Sequence, residues 1–325
     1  SSTRGWPEVG APITVVGSLN MDFVVQVAVL PRPGETVRGE GFATIPGGKG
    51  ANQATAAGKL GGRVRMGGRV GDDVFGRQLR ESLAAAGVDT SAVAPTLATP
   101  SGVALIFVQS GGQNEIVVAA GANGRLAPAD VDAALRGPSG GFLLLQLESP
   151  METVERAAAL GRERGMTVIL DPAPARPLAG ALLATVDVLT PNESEAMALL
   201  GRGEGTVSLD DAPEVARALR ERGPRAVVLK MGEKGAFVDD GTGGRHVPGL
   251  TVEAVDATAA GDTFNGALAV ARAEGRGMAG ALAFANAAAA ISVTRLGAQA
   301  SIPGRATTTA SSGRRMASPD SPRAR

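Results

Sequence analysis

The chain has 325 residues, 44% of them hydrophobic, which is enough to bury the core of one large domain or two modest ones, and a single large α/β domain fits. Its 32 basic and 32 acidic residues cancel and no Lys/Arg-rich run crosses the body, so nucleic acid and anionic membranes find little to hold and the expected ligand is small. With no cysteine and a single histidine, His246, a disulfide framework and a His-rich zinc site are excluded, and chemistry must come from carboxylates, amides, hydroxyls and backbone.

The opening "SSTRGWPEVGAP" lacks the basic start and apolar block of a secretory signal, and no run of about 18 apolar residues suggests a membrane span, so a cytoplasmic protein is expected. From Ile13 onward, apolar strand-like runs alternate with helix-like segments: "ITVVGS" and the helix after "GGKG", "GFLLLQL" and "METVERAAALGRERG", then "MTVIL", "DVLT" before "ESEAMALLG", and "RAVVLK". Continuous apolar strands joined by helices predict an α/β fold with a mostly parallel central sheet covered on both faces. Two stretches break the rhythm. Residues 20–46 and 102–120 contain no helical pattern, and the second has a hairpin-like Gly-Gly-Gln-Asn centre. They predict four short strands forming a small separate sheet, a lid beside the main one, whose exposure would be relieved by pairing with a second copy in a homodimer. After "QASIPGR" the chain turns to Ser, Thr, Pro and Arg, and residues 306–325 are expected to be disordered.

The segment "VDATAAGDTFNG" puts small residues directly before an acid. With "TFNGALAVARAEG" reading as a helix, Ala259, Ala260, Gly261 and Asp262 fall in its first turn, where unpaired N–H groups and the positive dipole end suit a phosphate. A carboxylate there repels phosphate but can take a proton from an attacking hydroxyl. The plain alternative is an N-capping Asp after a Gly-rich turn. "PGGKGANQATAAGKLGG" has neither the spacing nor the Ser/Thr of a Walker loop. "TPNESEA" sets Asn192 and Glu195 three apart at a helix start, where they could orient hydrated magnesium and phosphate oxygens or serve only as a cap. "LKMGEKGAF" reads as a hairpin, and His246 as an exposed loop or strand residue.

In this order the motifs "GSLNMD", "PGETV", "GGKGANQA", "GDDVFG", "SGVALIFV", "GANGRL", "LLQLESP", "DPAPAR", "TPNESEA", "VDATAAGDTFNGAL" and "FANAAAAISVTRLGAQASIP" resemble the ribokinase family of carbohydrate kinases, over a kinase domain of residues 12–305. The resemblance implies that Asn20, Asp22, Gly48, Lys49, Asn52 and Glu148 hold sugar hydroxyls, that Asp262 is the catalytic base, and that Ala260 and Gly261 form the anion hole. It implies that Asn192 and Glu195 organise phosphate and Mg2+, and that Lys230, Gly232, Gly235 and Asn286 lie near ATP. A monovalent cation, K+, would take the Asp256 carboxylate and Ser301, with backbone carbonyls of Thr258, Ser292, Arg295 and Gly297. Ala257 stands where many members carry Thr or Ser, and a final short helix common in the family is replaced by "ATTTASSG". The implied activity is transfer of the γ-phosphoryl group of ATP to the 5-hydroxyl of D-ribose. A kinase for another sugar or a nucleoside, and a catalytically silent sugar-binding protein, are the alternatives; a dinucleotide oxidoreductase is not supported, because "VVGSLN" lacks the Gly-x-Gly-x-x-Gly turn.

Overall fold

The computed structural model describes residues 10–109, 114–137, 139–203 and 205–313. In chain order the elements are β1 (Ile13–Val16), β2 (Asn20–Val27), β3 (Gly39–Gly47), α1 (Lys49–Lys59), β4 (Val64–Gly71), α2 (Val74–Ala85), β5 (Val88–Thr96), β6 (Gly102–Gln109) and β7 (Asn114–Ala119). There follow α3 (Pro128–Ala134), β8 (Phe142–Leu145), α4 (Met151–Glu163), β9 (Thr167–Leu170), α5 (Gly180–Leu183), β10 (Val188–Leu189), α6 (Glu193–Leu200) and α7 (Ala212–Arg220). The last are β11 (Ala226–Lys230), β12 (Ala236–Asp239), β13 (Arg245–Val247), α8 (Ala260–Ala273), α9 (Met278–Ser292), α10 (Ala298–Ser301) and α11 (Arg305–Gly313).

The runs ITVV, FLLL and TVIL are buried at every position, as a parallel strand covered on both faces requires. Successive residues serve opposite layers. Ile13, Val15, Phe142 and Leu144 enter the core under α1, α8 and α9, while Val16, Leu143 and Leu145 enter the core under α3, α4, α6 and α7. The sheet order is β13-β12-β11-β10-β9-β8-β1-β4-β5, all parallel except β12, which runs antiparallel to both its neighbours, β11 and β13. From β1 the chain first builds outward through β4 and β5, then returns to add β8 on the other flank. The β1/β8 boundary is therefore the switch point, and a crevice opens at the carboxyl ends of these two strands.

The lid is a separate four-stranded sheet, β3-β2-β6-β7, in which β2 and β6 are parallel and the other pairs antiparallel. It is fastened to the body by Phe23, which stacks on Phe42 at 6.1 Å and meets Phe75 of α2 edge-on at 5.3 Å. Most of the expected β6/β7 turn, residues 110–113, lies outside the described residues. Met21 is buried at the lid base, and His246 sits half-buried in β13 with Nε2 2.7 Å from the Lys234 carbonyl.

Two expectations are corrected. The pattern reading omitted β4 and β5, because Gly67, Gly68 and Gly71 interrupt the apolar run of β4. Those glycines are there for close packing: a Cβ at Gly67 would lie 2.4 Å from Ala134 Cβ, and one at Gly68 would lie 2.4 Å from Leu19 Cδ1. The disorder expected from residue 306 is also wrong as far as Gly313, since α11 is a helix packed on α9. Arg305 donates to the Leu60 carbonyl at 3.0 Å and pairs with Glu274, and Thr308 is fully buried. Small residues gave no apolar signal, but they seat closely on the alanine-rich α9. Residues 314–325 of the expected tail lie outside the described residues.

Candidate active site

Helix α8 starts from Ala259, a non-glycine residue in the left-handed region at φ 61°. Its first turn carries Ala260, Gly261 and Asp262. A Cβ at Gly261 would lie 3.2 Å from Lys230 Nζ, so glycine keeps open the space between the helix N-terminus and that ammonium.

Asp262 is buried, and amides of α1 hold it. Asn52 Nδ2 donates to Oδ2 at 3.1 Å and Gln53 Nε2 donates to Oδ1 at 3.1 Å. Burial pushes the Asp262 carboxyl up to about 6; Asp171 adds to this, while Lys49 and the two amides oppose it. Burial alone would lower Lys49, at the first turn of α1, but Asp262, Asp171, Glu148 and Glu195 surround it and hold its ammonium above the ordinary value. Lys230 Nζ donates to Asp171 Oδ1 at 2.8 Å.

On the lid side, Glu148 Oε2 accepts from Ser18 Oγ at 2.5 Å and from the Lys49 backbone N–H at 3.1 Å, which ties the loops after β1 and β8 across the switch point. Gly48, at φ 89°, has no room for a Cβ, which would sit 2.7 Å from the Asn20 backbone nitrogen. Asn20 Oδ1 accepts from Asn123 Nδ2 at 2.7 Å, and Asn123 Oδ1 accepts from the Leu19 N–H. Asp22 is buried, and that burial, with Glu148 and Asp262 nearby, pushes its carboxyl up to about 7. Asn52 Oδ1 is buried with no hydrogen-bond partner, a polar atom left for a ligand or water.

On the other side a cleft of about 310 Å³ runs from Lys230 past Gly232, Gly235, Val252, Phe264 and Asn286. Its lining is mostly apolar. Gly235, at φ 98°, would drive a Cβ to 2.2 Å from the Val247 carbonyl. Asn286 Nδ2 donates to the Val247 and Pro248 carbonyls, so its amide braces the wall. A second space of about 290 Å³, sharing Lys230, Gly232, Ala260 and Gly261 with the first, reaches Lys49, Asn192, Glu195 and Asp262. Asn192 and Glu195 form a capping box at α6, each side chain accepting the other's backbone N–H at 2.7 Å, so the plain reading of "TPNESEA" holds, and the same two residues line the second space. Burial raises the Glu195 carboxyl, against the pull of Lys230.

Asp256 lies beside this space. Its Oδ1 accepts from the Thr258 N–H at 2.9 Å and its Oδ2 from the Gly297 N–H at 2.8 Å, while the Val293 carbonyl accepts from the N–H groups of Val255 and Asp256. Burial works against the charge, but these bonds win and hold Asp256 below the ordinary carboxylate range. The hydroxyls of Ser292 and Ser301 donate to Ala289 and Ala298 within their own turns. Among the described residues there is no cluster of three or more His, Cys, Asp or Glu side chains suited to a metal ion. Any cation here would lean on backbone oxygens, and a magnesium ion near Asp171 and Glu195 on its own waters and phosphate.

Sequence reasoning passed over Ser18, Gln53, Asn123, Gln146 and Asp171 as site residues. Asp171 had a readable signal, an acid immediately after the apolar strand β9 at the ligand-binding edge of the sheet. The amides had none, since a buried Gln in a helix cannot be told from an exposed one by its neighbours in sequence.

A β lid beside a parallel α/β sheet, with a buried carboxylate at a helix N-terminus between a polar pocket and an apolar cleft, defines the fold of the ribokinase-like enzymes. The sequence model of the pfkB family carbohydrate kinases matches residues 11–305, and the chain belongs to that family of phosphotransferases. It is 44% identical over 294 residues to the ribokinase of Bacillus subtilis, covering 90% of this chain and 96% of that protein, and 38% identical over 293 residues to the deoxyribokinase of Salmonella typhimurium, covering 90% and 95%. The structure of Arabidopsis thaliana ribokinase complexed with ribose and ATP superposes with a TM-score of 0.84 at 33% identity, covering 93% of this chain and 98% of that one.

The buried Asp22 carboxyl has a consequence for stability. Its pKa is raised on folding, so its contribution is fully present below the ordinary carboxylate value and is lost as pH rises through about 7. Asp22→Asn is therefore expected to stabilise the unliganded protein at pH 8 by about 1–4 kcal/mol, with the gain vanishing toward pH 4. Thermal melts of both proteins across that range check the sign; a mutant that melts lower at pH 8 rejects it.

Proposed function

We propose that the chain transfers the γ-phosphoryl group of ATP to the 5-hydroxyl of D-ribose, giving ribose 5-phosphate and ADP, in the cytoplasm. The observation that carries this reading is Asp262: a buried carboxylate, clamped by two amides, in the helix turn whose Gly261 borders Lys230. The family, and the ribokinases at up to 44% identity, support ribose as acceptor. Asn20, Asp22, Gly48, Lys49, Asn52 and Glu148 would hold the sugar. ATP would lie along the apolar cleft, with its phosphates toward Lys230, the backbone of Ala260 and Gly261, and Asn192 and Glu195.

In this reading the 5-hydroxyl gives its proton to Asp262 as its oxygen bonds to the γ-phosphorus and the bond to the ADP oxygen breaks. The Ala260 and Gly261 N–H groups stabilise charge on the moving phosphoryl oxygens. Asn192 and Glu195, with Asp171 nearby, would orient hydrated magnesium, which when bound would neutralise charge on the polyphosphate. A potassium ion would take the Asp256 carboxylate and Ser301 with the carbonyls of Thr258, Ser292, Arg295 and Gly297, hard oxygen ligands, and would lower negative potential beside the anion hole. The lid exposes Phe42, Leu105, Ile116, Val117 and Val118, an apolar surface that pairing with a second copy would cover.

With ATP and Mg2+, ribose is expected to release ADP faster than 2-deoxyribose, the acceptor suggested by the name of the 38% identical relative. Because Asp262 must be ionised to accept a proton, kcat/KM should rise through about pH 6 and then level. Asp262→Asn should reduce kcat by about 10²–10⁴ while sugar binding persists. A coupled assay with a sugar titration decides, and near-normal turnover in the mutant rules out the base.

At fixed ionic strength, potassium is expected to support more activity than sodium, and Asp256→Ala should remove the difference; a wild type indifferent to the ion rejects the cation site. Sedimentation velocity tests the dimer: the wild type should sediment as two copies and Val117→Lys as one, whereas a monomeric wild type at micromolar concentration argues against pairing.

A further inference from the structure

Gln53 is a helical residue of α1, almost fully buried, and its carboxamide makes three hydrogen bonds to groups from three other elements. Nε2 donates to Asp262 Oδ1 at 3.1 Å and to Asp171 Oδ2 at 3.1 Å, while Oε1 accepts from Gln146 Nε2 at 2.7 Å. An amide nitrogen has two hydrogens, one for each carboxylate. The reverse orientation would set an amide oxygen against two acids, so the carboxylates dictate which way Gln53 lies, and Gln146 completes the arrangement. Its cost is visible: Gln146 Oε1 is buried with no partner, held where a Cβ on Gly17 would come within 2.0 Å. Leaving one neutral acceptor unpaired costs less than facing an acceptor with two carboxylates.

We propose that Gln53 is a positioning residue for phosphoryl transfer, whose carboxamide, braced by Gln146, fixes the proposed base Asp262 to the Lys230-paired Asp171 and so sets the acceptor side against the nucleotide side. The chain of contacts is continuous: Asp262, Gln53, Asp171, then Lys230, whose Nζ meets Asp171 Oδ1 at 2.8 Å and borders Gly261. The same bond favours the ionised form of Asp262. Other charged groups facing this carboxylate are Lys49 from α1 and Asp171 after β9, with Lys230 of β11 behind Asp171, and Asp22 of β2, Glu148 and Glu195 around the same lysine and pocket. Substituting Gln53 leaves all of these residues in place, and Asp171 loses the hydrogen bond that Gln53 gives it. The proposal rests on Asp262 being the base.

The test uses Gln53→Met, which keeps the length and removes the hydrogen bonds, and Gln146→Met, which leaves both carboxylate bonds but removes the donor to Gln53 Oε1 that braces the amide. Rates are measured with ribose and ATP from pH 5 to 9, with Asp262→Asn in parallel. Gln53→Met should lower kcat about 10- to 100-fold, leave KM for ribose within about threefold, and move the acid limb of kcat/KM upward by about half a pH unit or more. Gln146→Met should shift the limb in the same direction by less. An acid limb that stays in place in Gln53→Met overturns the proposal, even if kcat falls, because loss of packing alone would lower the rate without moving the limb. If Gln53→Met does not fold, Gln146→Met decides by the same criterion. Near-normal turnover of Asp262→Asn would remove the base reading and this proposal with it; an inactive Asp262→Asn beside an unmoved limb removes this proposal alone.

Discussion

The close approach of α1 to α8 is the contact on which the site depends. A Cβ at Gly266 would lie 2.7 Å from Ala56 Cβ and 2.7 Å from the Gln53 carbonyl oxygen, so only glycine lets the two helices meet at this depth. Gly50 does the same where α1 begins, 2.7 Å from the Gly17 carbonyl carbon. These missing side chains bring Asn52 and Gln53 within hydrogen-bond reach of Asp262 across more than two hundred residues of chain. A helix pair separated by one more methyl layer would leave a buried carboxylate unclamped, and such groups neutralise or unfold rather than persist.

Charge is the second organising fact. Asp22, Glu148, Asp171, Glu195 and Asp262 gather around two ammonium groups, Lys49 and Lys230, so the side chains of the pocket hold more acid than base. Burial raises Asp22, Glu195 and Asp262 alike. This concentration of carboxylates strains the unliganded protein, and it is what hydroxyl donors and cations would relieve on binding. Stability given up in this way resides in groups that would act, not in the apolar layers on either side of the sheet, where no such conflict exists.

Several local choices carry two roles. Asn192 and Glu195 cap α6 and line the space before Gly261. Asn286 braces the Val247–Pro248 wall of the apolar cleft. Asn123, outside the pocket, fixes Asn20 by bonding both the backbone and the side chain of its neighbourhood. A residue that also shapes its surroundings can be held to its place more tightly than one that only waits for a ligand, because its rotamer is already chosen.

By itself the sequence determined the α/β class, the small second sheet, a helix beginning within Ala259–Asp262 and the residues of the long motifs, because period, glycine placement and helix-start chemistry are local properties. It did not show β4, whose glycines answer to Leu19 and Ala134 far away in the chain, nor α11, whose small residues pack only because α9 offers an alanine surface. It named Asp262 and Asn52 but left Gln53, Gln146 and Asp171 as ordinary polar residues. Only the tertiary structure could join them, because a hydrogen-bonded bridge between a carboxylate on α8, one after β9 and an amide on α1 exists in no stretch of sequence and depends on how closely two helices can meet.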